Sequence, residues 1–461
     1  KKNQHIHFVG IGGIGMSGIA EVLINLGYKV SGSDLIDSEI TERLRKMGAD
    51  VTYGHRSLNI KDPHVVVVSS AVRDDNPEVI AARDKAIPVI RRAEMLAELM
   101  RLKWGVAIAG THGKTTTTSM IAHVMAHGDL DPTAIIGGRV NSFGSNAKLG
   151  EGQFLVAEAD ESDGSFLKLT PVIAVVTNID PEHLNHYGTI EKAREAYADF
   201  VNKIPFYGLA VLGMDCENVR MIMPKIEKRI TTYGMSAQAD YRAERISFSG
   251  LKSTFRVLRE RKEIGSFTLN LPGLHNVYNA LATTAVAQEL DIKLDVIKEA
   301  LESFSGIGRR FEIKGDVKGI TIIDDYGHHP EEIKATLSAA RTAFKGESNS
   351  AERRIIVVFQ PHRFTRTRDL HQEFVYAFDL ADVLILTDIY PAGEEPIPNI
   401  TGEFLYRQIR AGGHKNVSFF ADKRDIAHHL SGIAKRGDII ITLGAGDIYK
   451  LGDSLLKELK R

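Results

Sequence analysis

The stretch Trp104-Gly-Val-Ala-Ile-Ala-Gly110-Thr111-His112-Gly113-Lys114-Thr115-Thr116 decides the fold class of this chain. An apolar run from Trp104 to Ala109, a glycine-bounded loop and a segment with helical spacing to about His127 read as strand, loop and helix. At such a helix start the backbone amides cradle phosphates, Lys114 neutralises them, and the Thr115 hydroxyl is placed to ligate Mg2+. The loop is shorter than G-x-x-x-x-G-K-[ST], because Ile108 stands five before Gly113 and the first glycine is Gly110. A magnesium-bound triphosphate is the expected ligand.

Upstream the same pattern occurs once more. His5 to Val9 reads as a strand, Met16 to Leu26 as a helix stopped by Gly27, and Tyr28 to Ser31 as a second strand. Between the first two lies Gly10-Ile11-Gly12-Gly13-Ile14-Gly15, a G-x-G-x-x-G loop, and Asp34 closes the unit where a ribose would be met. NAD, FAD and a nucleotide sugar all suit that loop. Strands Val65 to Val68 and Pro88 to Ile90 alternate with helices Ser38 to Lys46, Glu78 to Lys85 and Ala93 to Arg101, which predicts a Rossmann-like domain over 1–102.

Downstream, Gln153 to Ala157 and Val172 to Val176 read as buried strands of the Trp104 sheet. Glu158 follows the first and is the preferred metal carboxylate; Asp160, Glu161 and Asp163 read equally well as a solvated acidic turn. The second ends in Thr177-Asn178-Ile179-Asp180-Pro181-Glu182-His183, which offers His183 to a second ion. A period near two from Tyr241 to Leu271 predicts a small antiparallel addition, and helices His275 to Leu290 and Leu294 to Phe304 close a P-loop ATPase-like central domain, 103–307. A third, Rossmann-like domain over 308–461 takes strands near Thr321, Ile355, Val383 and Ile439 and helices Pro330 to Phe344, Leu370 to Leu380 and Asp425 to Lys435. Its strand ends carry Asp324 to Pro330 and Gln360 to Arg366, where Arg363 and Arg366 suit a carboxylate or phosphate. The expected class is α/β with three domains.

Composition narrows the partners. Lys and Arg (58) balance Asp and Glu (59), so no global charge draws the chain to nucleic acid or to an anionic membrane, and any anion must be held locally. A single cysteine, Cys216, excludes an internal disulfide and Cys-based zinc sites and fits a reducing cytosol. Apolar runs stay well below the ~18 residues of a spanning helix, and glycines at 10, 12, 13, 15 and 18 break any signal-peptide core, so a soluble protein is expected.

Nine motifs in order, GIGGIGMSG, GTHGKTTTT, AEADESDGSFL, TNIDPEHLNHYG, LPGLHNVYNALA, GIGRRFE, DDYGHHP, FQPHRFTRT and LGAGDI, run from Gly10 to Ile448 and resemble the Mur ligases. They are most similar to the branch that joins L-alanine to UDP-N-acetylmuramate with ATP and Mg2+, through an acyl phosphate, in peptidoglycan synthesis. The resemblance implies that Gly10, Gly12, Gly13, Ile14, Gly15, Met16, Ser17, Asp34, Ser69 and Ser70 hold the UDP substrate. ATP falls to Gly110, Thr111, His112, Gly113, Lys114, Thr115 and Thr116, with Asn276 and Asn279 at adenine, Arg310 at the phosphates and Asp325 assisting. Thr115 and Glu158 would hold one Mg2+ and His183 a second, so that Lys114, Glu158, His183 and Arg310 are the implied catalytic group. Tyr326, His328, His362, Arg363 and Arg366 form the implied alanine side. Related ligases carry a carbamylated lysine after the His183 segment; Ile190 to Val201 has only Lys192, near its start, so none is expected. Implied too are a cytoplasmic setting and a monomer or homodimer. Three alternatives remain: a ligase recycling a tripeptide onto the same nucleotide, a nicotinamide-dependent oxidoreductase, and a regulatory ATPase.

Overall fold

The structure is a computed structural model that describes residues 4–69, 71–140, 145–345 and 353–460. The chain divides into two compact units: 1–246 with 255–268 and 277–305, and 247–254 with 269–276 and 306–461.

The first unit opens with β1 (His5–Val9), α1 (Ile14–Asn25), β2 (Lys29–Asp34), α2 (Glu39–Lys46), β3 (Asp50–Tyr53), β4 (Val65–Val68), α3 (Pro77–Asp84), β5 (Val89–Arg91) and α4 (Arg92–Met100). The strands pair in the order β3-β2-β1-β4-β5, all parallel. Crossover helices cover both faces of such a sheet, and β1 is accordingly buried at every position. Local signals fix the helix starts: Ser38 and Thr41 make a capping box at α2, and Asn76 caps α3 ahead of Pro77. The sequence reading omits β3, whose Asp-Val-Thr-Tyr is too short and polar to show a period.

Next come β6 (Trp104–Ala109), α5 (Lys114–His127), β7 (Thr133–Val140), β8 (Ser145–Lys148), β9 (Phe154–Glu158), β10 (Ile173–Val176), α6 (Leu184–Tyr187), α7 (Ile190–Asn202), β11 (Leu209–Gly213), α8 (Glu217–Ile222) and β12 (Ile230–Gly234). Three long strands follow, β13 (Tyr241–Ser249), β14 (Lys252–Arg259) and β15 (Lys262–Leu269), then α9 (Leu274–Glu289) and α10 (Leu294–Ser303). The sheet order is β15-β14-β13-β12-β11-β10-β6-β9-β7-β8. Two-residue connections between β13, β14 and β15 demand antiparallel hairpins, and Glu260 and Arg261 both adopt positive φ, 48° and 69°, as a tight hairpin turn requires. β6 lies between β10 and β9, so three loops converge at its carboxyl end. One buried cluster joins Ile19 and Leu23 of α1 and Leu96 of α4 to Ala107 of β6 and Ile135 of β7. The first two sheets therefore share a core.

The second unit contains β16 (Glu312–Val317), β17 (Ile320–Asp325), α11 (Pro330–Ala343), β18 (Ile355–Phe359), α12 (Phe364–Asp369), α13 (His371–Val375), β19 (Val383–Leu386), α14 (Gly402–Ala411), β20 (Val417–Phe419), α15 (Lys423–Ile433), β21 (Ile439–Leu443) and α16 (Tyr449–Lys460). Its sheet runs β16-β17-β21-β18-β19-β20, parallel except for β16. The helix expected over Leu370 to Leu380 is instead two short helices with Leu370 at their junction at φ −113°, and it ends at Val375. Among the described residues no helix is long and apolar enough to cross a membrane.

Candidate functional site

The second glycine loop is held from below by the end of β10. Thr111 N–H donates to Asn178 O at 3.1 Å and His112 N–H to Asn178 Oδ1 at 2.8 Å, while Thr177 Oγ1 and Asn178 Nδ2 donate to His112 O. Gly110 sits at φ +137°, and a β-carbon there would lie 2.0 Å from Thr177 Oγ1. Gly113, at φ +81°, backs onto Asn279 Oδ1, which also accepts from Thr117 Oγ1 at 3.1 Å. Asn279 is thus a wall of the loop.

Lys114 opens α5, and its side chain is only 18% exposed. Its ammonium donates to Gly110 O, to Thr111 O at 3.2 Å and to Glu161 Oε1 at 2.8 Å. Burial alone would lower the Lys114 pKa, yet Glu161, Asp160 and Glu158 outweigh it and raise it, so the ammonium stays charged. Glu161 is the opposite case: burial pushes its carboxyl up to about 7 although Lys114 pulls down, and its Oε2 is buried with no hydrogen-bond partner. The acidic turn is therefore not a uniformly solvated one. Sequence reading did not separate Glu161 from its neighbours because burial, which distinguishes it, is invisible in a run of three acids.

Thr115 Oγ1 donates to Glu158 Oε2 at 3.2 Å, and Gly137 N–H donates to Glu158 Oε1 at 2.6 Å. His183, at a left-handed φ of +56°, places Nε2 3.8 Å from Glu161 Oε1 and 3.7 Å from Glu182 Oε2. Lys114 and His183 therefore meet at Glu161, and Thr115 pairs with Glu158, at the carboxyl ends of β6, β9 and β10. Across the loop His112 Nε2 lies 3.3 Å from Asp180 Oδ2, and the floor of this segment is Cys216, whose sulfur accepts from Ile179 N–H at 3.4 Å. Thr116 is half-buried on the first turn of α5.

The first glycine loop is built differently. Gly10 and Ile11 N–H both donate to Ser33 O, and Gly12 N–H donates to Asp34 Oδ2 at 2.8 Å. Asp34 Oδ1 accepts from Ile36 N–H at 3.1 Å, so this carboxylate braces the loop. Met16 and Ser17 are 2% and 0% exposed, and their amides are bonded to Gly13 O, which leaves Gly12, Gly13, Ile14 and Gly15 as the accessible stretch. Ser69 lines the turn 3.6 Å from a β-carbon built on Gly10, whereas Ser70 lies outside the described residues. Below the loop Glu78 is fully buried, accepting from Ser33 Oγ at 2.7 Å, Asn59 Nδ2 at 2.5 Å and Arg56 N–H at 3.1 Å, and pairing with His7 Nε2 at 3.1 Å. Burial would raise its pKa, but His55, His7, Asn59 and Ser33 together hold it far below the usual carboxylate range.

The second unit gathers its own cluster at the ends of β17, β18 and β21. Tyr326 faces Arg309 and Arg310, with guanidinium carbons 4.9 and 5.3 Å from its ring, and His328 meets it edge-on at 5.5 Å. His362 stacks on Tyr390 at 5.6 Å and lies against Arg366 Nη1 at 3.3 Å. Burial, followed by His328, Arg366, Arg363 and Arg309, pushes the His362 pKa down to about 3, which keeps the ring neutral. Arg363 takes φ +72° and its amide donates to Tyr390 O. Arg310 pairs with Glu332 at 3.4 Å, and Asp325 is buried with its two oxygens accepting from Phe311 and Gly327 N–H at 2.7 Å, so it fixes the backbone beside Arg310. Asn276 donates to Pro272 O at 2.7 Å and is buried. Arg309 and Tyr390 were not singled out from the sequence; each lies beside a chosen motif residue, and a side chain's direction has no signature there.

Three family profiles match in order: the Mur ligase family catalytic domain over 5–104, the Mur ligase middle domain over 108–287, and the Mur ligase glutamate ligase domain over 309–446. A protein of Geotalea daltonii named UDP-N-acetylmuramate–L-alanine ligase is 59% identical, covering 100% of this chain and 99% of that protein. One of the same name from Anaeromyxobacter dehalogenans is 58% identical with coverage of 100% and 99%. Among solved structures, UDP-N-acetylmuramate-alanine ligase of Thermotoga maritima aligns with a TM-score of 0.85 at 32% identity over 99% of each chain. A murein peptide ligase of Psychrobacter arcticus aligns at 0.72 and 26% identity, over 100% of this chain and 99% of that one.

Proposed function

The chain belongs to the Mur ligase family, and from that premise we propose that it joins L-alanine to the lactyl carboxylate of UDP-N-acetylmuramate with ATP, in peptidoglycan synthesis. The observation that carries this reading is that relatives 57–59% identical over the full length of the chain bear one and the same ligase name. The tripeptide-adding alternative draws its support from the more distant of the two solved structures described above. A nicotinamide-dependent oxidoreductase leaves the Lys114 loop without a task.

Activation brings a carboxylate to a triphosphate, so anion meets anion and the barrier is electrostatic. Lys114 holds the transferring phosphoryl group once ATP draws its ammonium away from Glu161 and the Gly110 and Thr111 carbonyls. The donor set fits Mg2+: a hydroxyl beside a carboxylate, the rest of the shell left to phosphate and water, with the orphaned Glu161 oxygen and His183 close by. Thr115 and Glu158 would hold one ion and His183 a second; magnesium supplies charge neutralisation there. The family resemblance assigns Arg310 to the phosphates and Asn276 and Asn279 to adenine; of these, Asn279 is the one that walls the Lys114 loop. Neutral His362, Tyr326, His328, Arg363 and Arg366 make the alanine side, with an arginine pairing the amino acid's carboxylate.

The three domains take 1–102, 103–307 and 308–461, binding nucleotide sugar, ATP and amino acid in that order, in the cytoplasm. The test is phosphate release requiring ATP, Mg2+, UDP-N-acetylmuramate and L-alanine together, with a product mass equal to the nucleotide sugar plus alanine minus water. Turnover without the muramate nucleotide, or ADP with no new amide, overturns the reading.

A further inference from the structure

The first loop has a charge deficit that its own residues do not meet. Gly10 to Ser17 contains no basic residue, Asp34 places a carboxylate against Gly12, and the amides of Gly10, Ile11, Gly12, Met16 and Ser17 are already bonded. Yet, if the reading above holds, this loop takes a diphosphate. A cation stands beside it. Arg92, the first residue of α4, lies so close to Gly15 that a β-carbon built there would be 3.2 Å from its Nη1 and Cδ. Its Nη2 donates to Asp160 Oδ2 at 2.9 Å, and its side chain is 22% exposed. The preceding Arg91 is exposed and caps α4 with Glu94, so only the second arginine of the pair turns toward the loop.

We propose that Arg92 is the cationic contact for the diphosphate of the nucleotide sugar, and that Asp160 positions it. The planar guanidinium suits both tasks, because one edge is engaged by Asp160 while Nη1 remains at Gly15. Asp160 Oδ2 accepts from Arg92 Nη2 at 2.9 Å, and that contact orients the guanidinium. Asp160 sits between Glu158 and Glu161, so one turn serves both loops: Glu161 engages Lys114, and Asp160 engages Arg92.

The experiment measures binding of UDP and of uridine to the full chain by calorimetry. The intact protein is expected to bind UDP more tightly than uridine. Arg92→Ala is expected to weaken UDP about tenfold or more and uridine less than about twofold. Arg92→Lys, which keeps the charge and guards against a folding defect, recovers part of that loss. Asp160→Asn weakens UDP about threefold in the intact background and has no effect once Arg92 is alanine. Equal losses for UDP and uridine, or UDP binding by Arg92→Ala within twofold of the intact chain, overturn the assignment of Arg92. An Asp160→Asn effect that persists without Arg92 overturns the positioning role. Failure of the intact chain to bind UDP instead overturns the substrate assignment of the first loop.

Discussion

Two loops of this molecule share a plan, glycines between a parallel strand and a helix N-terminus, yet they handle charge in opposite ways. The first rests on a fully buried Glu78 that is ionised and satisfied by four donors, and it carries no cation of its own. The second carries Lys114 and rests beside Glu161, whose carboxyl burial pushes up to about 7 and whose Oε2 has no hydrogen-bond partner. A satisfied carboxylate is scaffold. An unsatisfied one beside a lysine is poised for exchange of partners, which is what a loop that must release its lysine to each incoming triphosphate needs.

The sharpest way to break this contrast is Lys114→Ala, expected to lower kcat by about a thousandfold, since the lost term is transition-state charge stabilisation. It should also cost about 1–3 kcal/mol in a denaturant titration, because Glu161 is left without its cation but escapes the full penalty by taking up a proton. Gly110→Ala comes next, at about 2–4 kcal/mol, as it combines left-handed strain with a clash on Thr177; Gly12→Ala, whose nearest neighbours are the Asp34 and Thr41 side chains, should cost about 1–2 kcal/mol. Thermal unfolding of the pair checks that ranking.

The two carboxylates also predict opposite pH dependences. Glu161 is raised on folding, so its contribution is present below about pH 4.5 and fades as pH rises toward 7. Glu78 is depressed, so its contribution is present above about pH 4.5 and is lost as pH falls. Glu161→Gln should therefore flatten stability between pH 4.5 and 7, and Glu78→Gln should flatten it below that window, each by at most about 1.4 kcal/mol per pH unit. Denaturation midpoints across pH decide; equal slopes in both variants would erase the distinction. The smallest effect concerns the hydroxyls after each loop. Thr115→Ala, which removes the group facing Glu158, should lower turnover about tenfold, whereas Ser17→Ala, whose hydroxyl is buried on Ile14 O, should change the KM for the nucleotide sugar less than twofold.

Both loops and their flanking strands are legible in the residues because a continuous apolar run such as Trp104 to Ala109 ending in glycine has few other meanings. The α/β class and the gathering of Lys114, Thr115 and Glu158 follow from that punctuation. Strands β3, β11 and β20 are not legible in this way. β3 and β20 are three or four residues long and take their form from their neighbours, and β11, apolar throughout, reads equally as buried helix. The roles of Glu161, Arg92 and Asp34 depend on which side of a turn each group faces, and sequence spacing carries no record of that. Met16 and Ser17 belong to the motif by position, and the burial of their side chains in the first turn of α1 is likewise not recorded in the spacing.

Cys216 gives this architecture a chemical reporter. The chain has one thiol, half-buried, with its sulfur on the backbone of Ile179, four residues before His183. Any movement of the 178–183 segment that supports the second loop must change that thiol's exposure. Alkylation rate then times the opening of the segment in the unmodified protein, with no engineered label and no competing cysteine.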